Sequence, residues 1–213
     1  TLRRLRARTD PAFDEYFDEA TRTVLEQVHR ITKIVSEFTE FARLPAPHPA
    51  PVHVDEVVKS TVALYATGGA EVSAVVGDGA TIQADRDQLV QVLTNLIQNG
   101  LDAARGLEEK PRVIVEVRSE GTDRVAISVT DNGPGVSEDM LSRLFQPYAT
   151  NKPDGTGLGL AIVQRIIQEH GGEIVYTRGP GGCAVFRVVL PVGGPALLPA
   201  PLEPPTGGEL PRG

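Results

Sequence analysis

The chain has 213 residues, with 21 Lys and Arg against 28 Asp and Glu, for a formal net charge of -7 at pH 7. That balance excludes a general nucleic-acid binder, which needs clustered cations to release counterions, and the apolar runs of a few residues fall far short of the roughly 20 that span a bilayer. The single cysteine, Cys183, excludes an internal disulfide and a cysteine-rich metal site, and it suits a reducing cytoplasm.

Residues 1–9 read as the last turns of a helix, with Leu2 and Leu5 on one side and Arg3, Arg4, Arg6 and Arg8 as its polar face. The chain opens on Thr1 without a methionine or a signal-peptide pattern, so a fragment of something longer is expected. After a turn at Asp10-Pro11, a long helix is predicted over about 12–43. Val24, Val28, Ile31, Val35, Phe38 and Ala42 are spaced alternately by four and three, a heptad seam, and Ile34 and Phe41 add a second apolar edge. Two apolar edges ask for more than one partner. The expected arrangement is a helical hairpin that pairs with a second copy into a four-helix bundle, and the alternative is packing onto the chain's own globular part.

Residues 44–52 are rich in proline and read as a stiff linker. A new domain then runs over 53–191. Its predicted elements are a helix over 55–66 capped by Asp55, strands over 71–76 and 81–84, and a strongly periodic helix over 86–104 capped by Asp85. Two strands follow over 112–118 and 124–130 with Gly121 in the turn, then a short helix from Ser137 to near Phe145. A helix over 158–170 opens on a glycine loop and stops at Gly171-Gly172, with His170 placed as a cation-capable group at its C-terminus. A hairpin over 173–177 and 183–190 closes the domain, and residues 192–213 read as a disordered tail.

Two glycine loops, Asp131-Asn132-Gly133-Pro134-Gly135 and Gly155-Thr156-Gly157-Leu158-Gly159-Leu160, flank one short insert. Each alone is compatible with a tight turn, but together they suit one phosphate-bearing ligand held from two sides. Asn95 and Asn99 lie one turn apart on a helix face. Their amides satisfy either local capping and core hydrogen bonds or, for the Asn99 oxygen, a Mg²⁺ ion that keeps most of its waters. Asp131 ends a strand beneath a glycine turn, and as an acceptor-only carboxylate it suits the exocyclic amine of adenine. Lys152 supplies a mobile cation for phosphate oxygens, and the amides of residues 155–160 supply oriented donors. No Gly-Lys-Ser/Thr follows the loop, so it is not a Walker A motif, and the strand before it is too distant for a dinucleotide fold.

The motifs in order are Asn95-Leu96-Ile97-Gln98-Asn99-Gly100-Leu101-Asp102-Ala103-Ala104, the Asp131 turn, Leu144-Phe145-Gln146-Pro147-Tyr148 and the second glycine loop. This order resembles the catalytic, ATP-binding domain of sensor histidine kinases, within the GHKL ATPases. Residues 1–43, with Glu37-Phe38-Thr39-Glu40-Phe41-Ala42-Arg43 before the proline-rich link, look like part of the dimerisation hairpin, its second helix, in the style of nitrogen-regulation sensor kinases. The resemblance implies an α+β fold, a two-layer α/β sandwich with helices on one face of a mixed sheet, and a lid over about 136–154. It assigns Asn95 and Asn99 to the Mg-phosphate side, Asp102 to the cofactor set, and Asp131, Gly133 and Gly135 to the adenine pocket. Lys152, Gly155, Thr156, Gly157, Leu158, Gly159 and Leu160 go to the phosphates. Phe145 and Tyr148 either anchor the lid or are core. Cys183-Ala184 stand where the family often has Gly-Thr, so a hydroxyl near the adenine is missing and Cys183 reads as a small buried hydrophobe.

Hydrolytic GHKL relatives place a glutamate one turn before the metal-binding asparagine, where this chain has Asn95, a neutral amide that cannot act as a general base. The resemblance therefore favours phosphoryl transfer to a protein histidine, with Asn95 and Lys152 as catalytic residues, a response regulator as partner and a cytoplasmic location. The alternative is a dimeric ATP-binding scaffold without phosphotransfer. A serine-type anti-sigma kinase is disfavoured by the heptad hairpin. None of the four histidines (His29, His48, His53, His170) stands in the acceptor pattern, so the acceptor is expected upstream of Thr1.

Overall fold

The computed structural model describes residues 13–66, 69–77, 80–152 and 155–195, which fall into two compact units. The predicted first helical turns over 1–9 and the tail beyond 195 lie outside the described residues.

One unit comprises the described residues up to 46 together with 136–165. Its main element is α1 (Phe13–Ala42), which matches the long helix expected from the heptad spacing. Val24, Val28, Ile31, Val35 and Phe38 remain between 50% and 60% exposed. After Ser137 comes a single turn, α4 (Glu138–Leu141), shorter than the helix expected to reach Phe145. The Ser137 side chain makes no capping hydrogen bond, and the chain continues as turns. Leu144 is buried there, whereas Tyr148 is 59% exposed and takes φ +66°, so Tyr148 is not core. Helix α5 (Gly159–Glu169) begins in this unit and ends in the other.

The second unit is built on a five-stranded sheet in the order β2-β4-β5-β7-β6. Its strands are β2 (Glu71–Val76), β4 (Arg112–Glu120), β5 (Arg124–Asp131), β6 (Glu173–Arg178) and β7 (Ala184–Pro191). Every pairing is antiparallel except β2 with β4, so the sheet is mixed, as expected. The register sets Val115, Val129 and Phe186 across from one another, and with Val113, Val117, Ile127 and Val188 they form the buried face. Helices α2 (Val54–Ala63) and α3 (Arg86–Ala103) pack on that sheet. From α3, Leu89, Val92, Leu93, Leu96 and Ile97 are all buried, as their 3.6-residue period requires.

Three local readings are corrected. Asp55 does not cap α2: His53 holds the cap position in extended conformation without a side-chain bond, and Asp55 is already inside the first turn and buried. Part of the proline-rich linker is a strand, β1 (Ala50–His53), paired antiparallel with β3 (Thr81–Ala84) through Val52 opposite Ile82. Pro51 fits there because a two-stranded ribbon leaves one side without ladder bonds. Finally, His170 is buried in the fold rather than presented at the helix end: its Nε2 accepts from the Asp85 N–H at 3.0 Å and its Nδ1 lies 2.8 Å from the Ile166 carbonyl oxygen.

Asp85 is the N-cap expected for α3. One carboxylate oxygen accepts from Asp87 N–H (3.1 Å) and Gln88 N–H (3.2 Å), and the other from His48 N–H (3.0 Å). Burial pushes this carboxyl up, but the amides of His48, Gln88 and Asp87 outweigh it and hold it below its ordinary value. A carboxylate depressed in the folded state contributes stability that is complete above its unfolded pKa and is lost as pH falls through the folded value. Asp85→Ala is expected to cost about 1–2 kcal/mol at neutral pH. In urea titrations the gap from wild type should shrink as pH drops below about 4, and a gap that does not change with pH would exclude this role.

Candidate functional site

In the sheet-bearing unit, the site residues come from the middle of α3 and the end of β5. Asn95 and Asn99 are both half-buried on the same face of α3, between the buried Leu96-Ile97 pair and exposed Gln98. Asp102, one turn on, accepts from Gln98 Nε2 at 3.1 Å and pairs with Arg105 at 3.2 Å, so its carboxylate is tied to neighbours on the helix end. Asp131 closes β5 and is 7% exposed. Its Oδ1 accepts from Gly133 N–H at 2.8 Å and from Ala184 N–H at 3.4 Å. Ala184 thus contributes through its main chain. Cys183 beside it is half-buried, not the buried hydrophobe expected.

Glycine is required around Asp131 for reasons of space. A Cβ on Gly133 would stand 3.0 Å from both Ala103 Cβ and Asp131 Oδ1. Gly135 takes φ +74°, and a Cβ there would overlap the Gly182 carbonyl oxygen and approach Tyr176 Oη at 3.2 Å. Tyr176 in turn packs on Phe186, ring centroids 5.5 Å apart.

Two residues escaped the reading of the sequence. Gly100, inside α3, lets the helix close on β5: a Cβ would lie 3.0 Å from Asp131 Cβ and 3.0 Å from Val113 Cγ2. A glycine inside a helix costs roughly 0.5–1 kcal/mol relative to alanine, so its presence beside Asn99 was the available signal for a close approach. Asn132 is the other. Its Oδ1 accepts from Arg112 N–H (2.8 Å) and its Nδ2 donates to the Lys110 carbonyl (3.0 Å), which pins the Asp131 turn to the start of β4.

In the other unit, the second glycine loop leads into α5. The first intrahelical bond runs from Ile162 N–H to the Leu158 carbonyl at 2.9 Å. The amides of Gly159, Leu160 and Ala161 therefore lie outside the helix's own ladder, at its positive end. Thr156 Oγ1 accepts from Leu158 N–H at 3.3 Å, and Leu158 itself is buried. Gly157 takes φ +70°, and a Cβ there would fall 2.7 Å from both Tyr148 Cα and Ala149 N. The loop thus lies directly against the main chain at Tyr148. Lys152 is half-buried, and its carbonyl accepts from Gly155 N–H at 3.1 Å while Thr150 Oγ1 accepts from Lys152 N–H at 3.1 Å.

The residues fit a magnesium nucleotide on chemical grounds. Among the described residues no group of three or more His, Cys, Asp or Glu could hold a metal ion by itself. Neutral amide oxygens such as those of Asn95 and Asn99 suit Mg²⁺ shared with phosphates and waters. A buried, acceptor-only carboxylate and a helix start with unladdered amides suit a base with an amine edge and a polyanion, respectively.

The chain belongs to the family described as histidine kinase-, DNA gyrase B- and HSP90-like ATPases, which matches residues 84–194. Within it, the chain carries the catalytic domain of the sensor histidine kinase type. It is 37% identical over 195 residues to the nitrogen regulation protein NtrY of Azorhizobium caulinodans, covering 87% of this chain and 25% of that one. It is likewise 37% identical over 179 residues to the sensor histidine kinase ZraS of Salmonella typhi, covering 82% and 38%. Among solved structures, full-length ShkA in complex with AMPPNP superposes with a TM-score of 0.68 at 29% identity, covering 84% of this chain and 39% of that one. The nucleotide-free catalytic domain of histidine kinase ThkA gives 0.61 at 28% identity, covering 68% and 97%. The α+β expectation and the resemblance to sensor kinases are thus borne out. The chain spans about a quarter to two-fifths of the length of these curated relatives.

Proposed function

We propose that this chain binds Mg-ATP and is the catalytic part of a protein histidine kinase, donating the γ-phosphoryl group to a histidine for relay to a response regulator. The observation that carries the nucleotide reading is Asp131, a buried carboxylate backed by two main-chain amides and packed against Gly100. In this reading Asp131, with Gly133 and Gly135, selects adenine. Asn99 holds the metal, with Asn95 and Asp102 on the same side. Lys152, Gly155, Thr156, Gly157, Leu158, Gly159 and Leu160 hold the phosphates, and Tyr148 orders the loop.

When bound, Mg-ATP supplies the transferable group and the charge neutralisation on which phosphoryl transfer rests. Asn95 contributes by what it lacks: a neutral amide takes no proton from water, so hydrolysis is not promoted. Lys152 adds a cation for the phosphates. NtrY and ZraS are by name regulatory and sensor proteins, which supports the kinase assignment, and ShkA was solved with an ATP analogue, which supports the nucleotide. The exposed seam of α1 supports pairing with a second copy. The proposed domain division is a dimerisation segment over 1–43, a link over 44–52, a catalytic domain over 53–191 and a tail over 192–213, in a cytoplasmic protein.

Thermal unfolding tests the nucleotide. Mg-ATP at 100 times its Kd is expected to stabilise the chain by about 2.7 kcal/mol, roughly 5 to 10 °C in Tm at this size. Asn99→Ala should remove most of the magnesium-dependent part of that shift. No shift with any adenine nucleotide would overturn the proposal.

A further inference from the structure

The end of α1 meets the glycine loop through one contact and the following helix α5 through two, all within one unit. The Thr156 hydroxyl donates to the Glu37 carboxylate. Arg165, on α5, donates from Nη1 to the Phe41 carbonyl at 2.8 Å, and its guanidinium centre lies 5.9 Å from the Phe41 ring centroid. Glu37 and Phe41 are four residues apart and so share one face of α1, while Thr156 and Arg165 bracket the start of α5.

Each contact has a clear physical cause. The Phe41 carbonyl is among the last four of α1, which have no partner within the helix, and a cation at a helix C-terminus is favoured by the helix dipole. The guanidinium over an aromatic face adds attraction. Glu37 is different in kind. It sets a negative charge on the loop whose amides and hydroxyl are the ones suited to a polyanion. The Thr156 hydroxyl has a single proton, and it is given to Glu37, while one of its lone pairs accepts from Leu158 N–H.

We propose that α1 acts as an acidic latch on the glycine loop: Glu37 takes up the donor that nucleotide phosphates would use and repels their charge, so that docking of α1 and binding of Mg-ATP oppose each other. This rests on the nucleotide reading above and adds its regulation. The Arg165 contacts hold the latch in register without competing for phosphate. Because coupling is reciprocal, whatever draws the last turns of α1 off the loop raises nucleotide affinity, and nucleotide loosens those turns by the same factor.

Calorimetric titration of the whole chain with Mg-ATP at fixed ionic strength tests this. Glu37→Gln keeps the side-chain size and removes the charge, and it is expected to tighten Mg-ATP about tenfold. Arg165→Met, which leaves Glu37 in place but weakens docking, should tighten it several-fold. In wild type, hydrogen exchange at the amides of residues 39–43 should speed up on adding Mg-ATP. If wild type binds Mg-ATP but Glu37→Gln binds it equally or more weakly, or if exchange at 39–43 is unchanged or slowed, the latch is wrong and the nucleotide reading stands. If neither wild type nor variant binds any adenine nucleotide, the nucleotide reading falls and the latch falls with it.

Discussion

Asp131→Asn is expected to weaken Mg-ATP binding by about 100-fold while leaving the fold close to intact. Oδ1 of Asp131 already accepts from Gly133 N–H and Ala184 N–H. An asparagine can keep its carbonyl oxygen on those two amides, which satisfies the turn. Its NH2 then stands where the carboxylate presents its other oxygen. Against the amine of adenine that places donor against donor: one hydrogen bond is lost and two donors are left unpaired. The cost is roughly 2–3 kcal/mol, or about 30- to 150-fold in Kd. Binding to a base with a carbonyl at that edge does not suffer the same clash, so the preference for ATP over GTP should shrink towards unity. Titrations of both nucleotides against wild type and variant measure it. An unchanged ATP-to-GTP ratio would take base selection away from Asp131.

Gly157→Ala is expected to lose about 3 kcal/mol of stability or more, and at least tenfold in Mg-ATP affinity. The left-handed backbone at φ +70° costs an L-residue roughly 1–2 kcal/mol. The added Cβ also meets Tyr148 Cα and Ala149 N at 2.7 Å, main-chain atoms that cannot swing aside. Relief requires the loop and the segment at Tyr148 to separate, which is the arrangement that sets the amides ahead of α5. Gly121→Ala is the control. Gly121 has nearly the same dihedral, φ +67°, but its Cβ would meet only the end of the Asp123 side chain at 3.5 Å. It should lose only the backbone cost of roughly 1–2 kcal/mol. Equal losses at both positions would mean that packing against Tyr148 contributes nothing.

Local signals in the sequence went furthest where a single element carried its own chemistry. The apolar period of α3, its Asp85 cap and the two glycine loops are all written within a few residues of where they act. The same holds for β2 and β3, whose bounds match those expected. What stayed hidden depends on a partner far along the chain. Glu37 and Thr156 are 119 residues apart, and His170 reaches an amide 85 residues away. A lone histidine at a helix end says surface group to local reasoning, and only the distant Asp85 N–H shows it to be a buried hydrogen-bond partner. Gly100 looked like an ordinary part of a motif because the residue that forbids a side chain there, Asp131, lies on another element. Pro49 and Pro51 argued for a linker, and β1, which begins after Pro49 and includes Pro51, exists only because β3 offers it a ladder. Asp55 carried the side chain of a cap two residues too late, since His53 had already turned the chain into the helix.

The one parallel pairing in the sheet has a kinetic consequence. Glu71 meets Arg112, so about forty residues, with β3 and all of α3 among them, must be arranged before β2 can dock. β4 and β5, by contrast, are joined by a three-residue turn and can zip from it. β2 also sits at a sheet edge, with Val75 52% exposed, whereas β5 is held from both sides. Amide protection against solvent deuterium should therefore be lowest along β2 and highest along β5. The carboxylate proposed to read the base ends the strand with most to hold it, so the edge of this sheet can open and close many times while Asp131 stays in place.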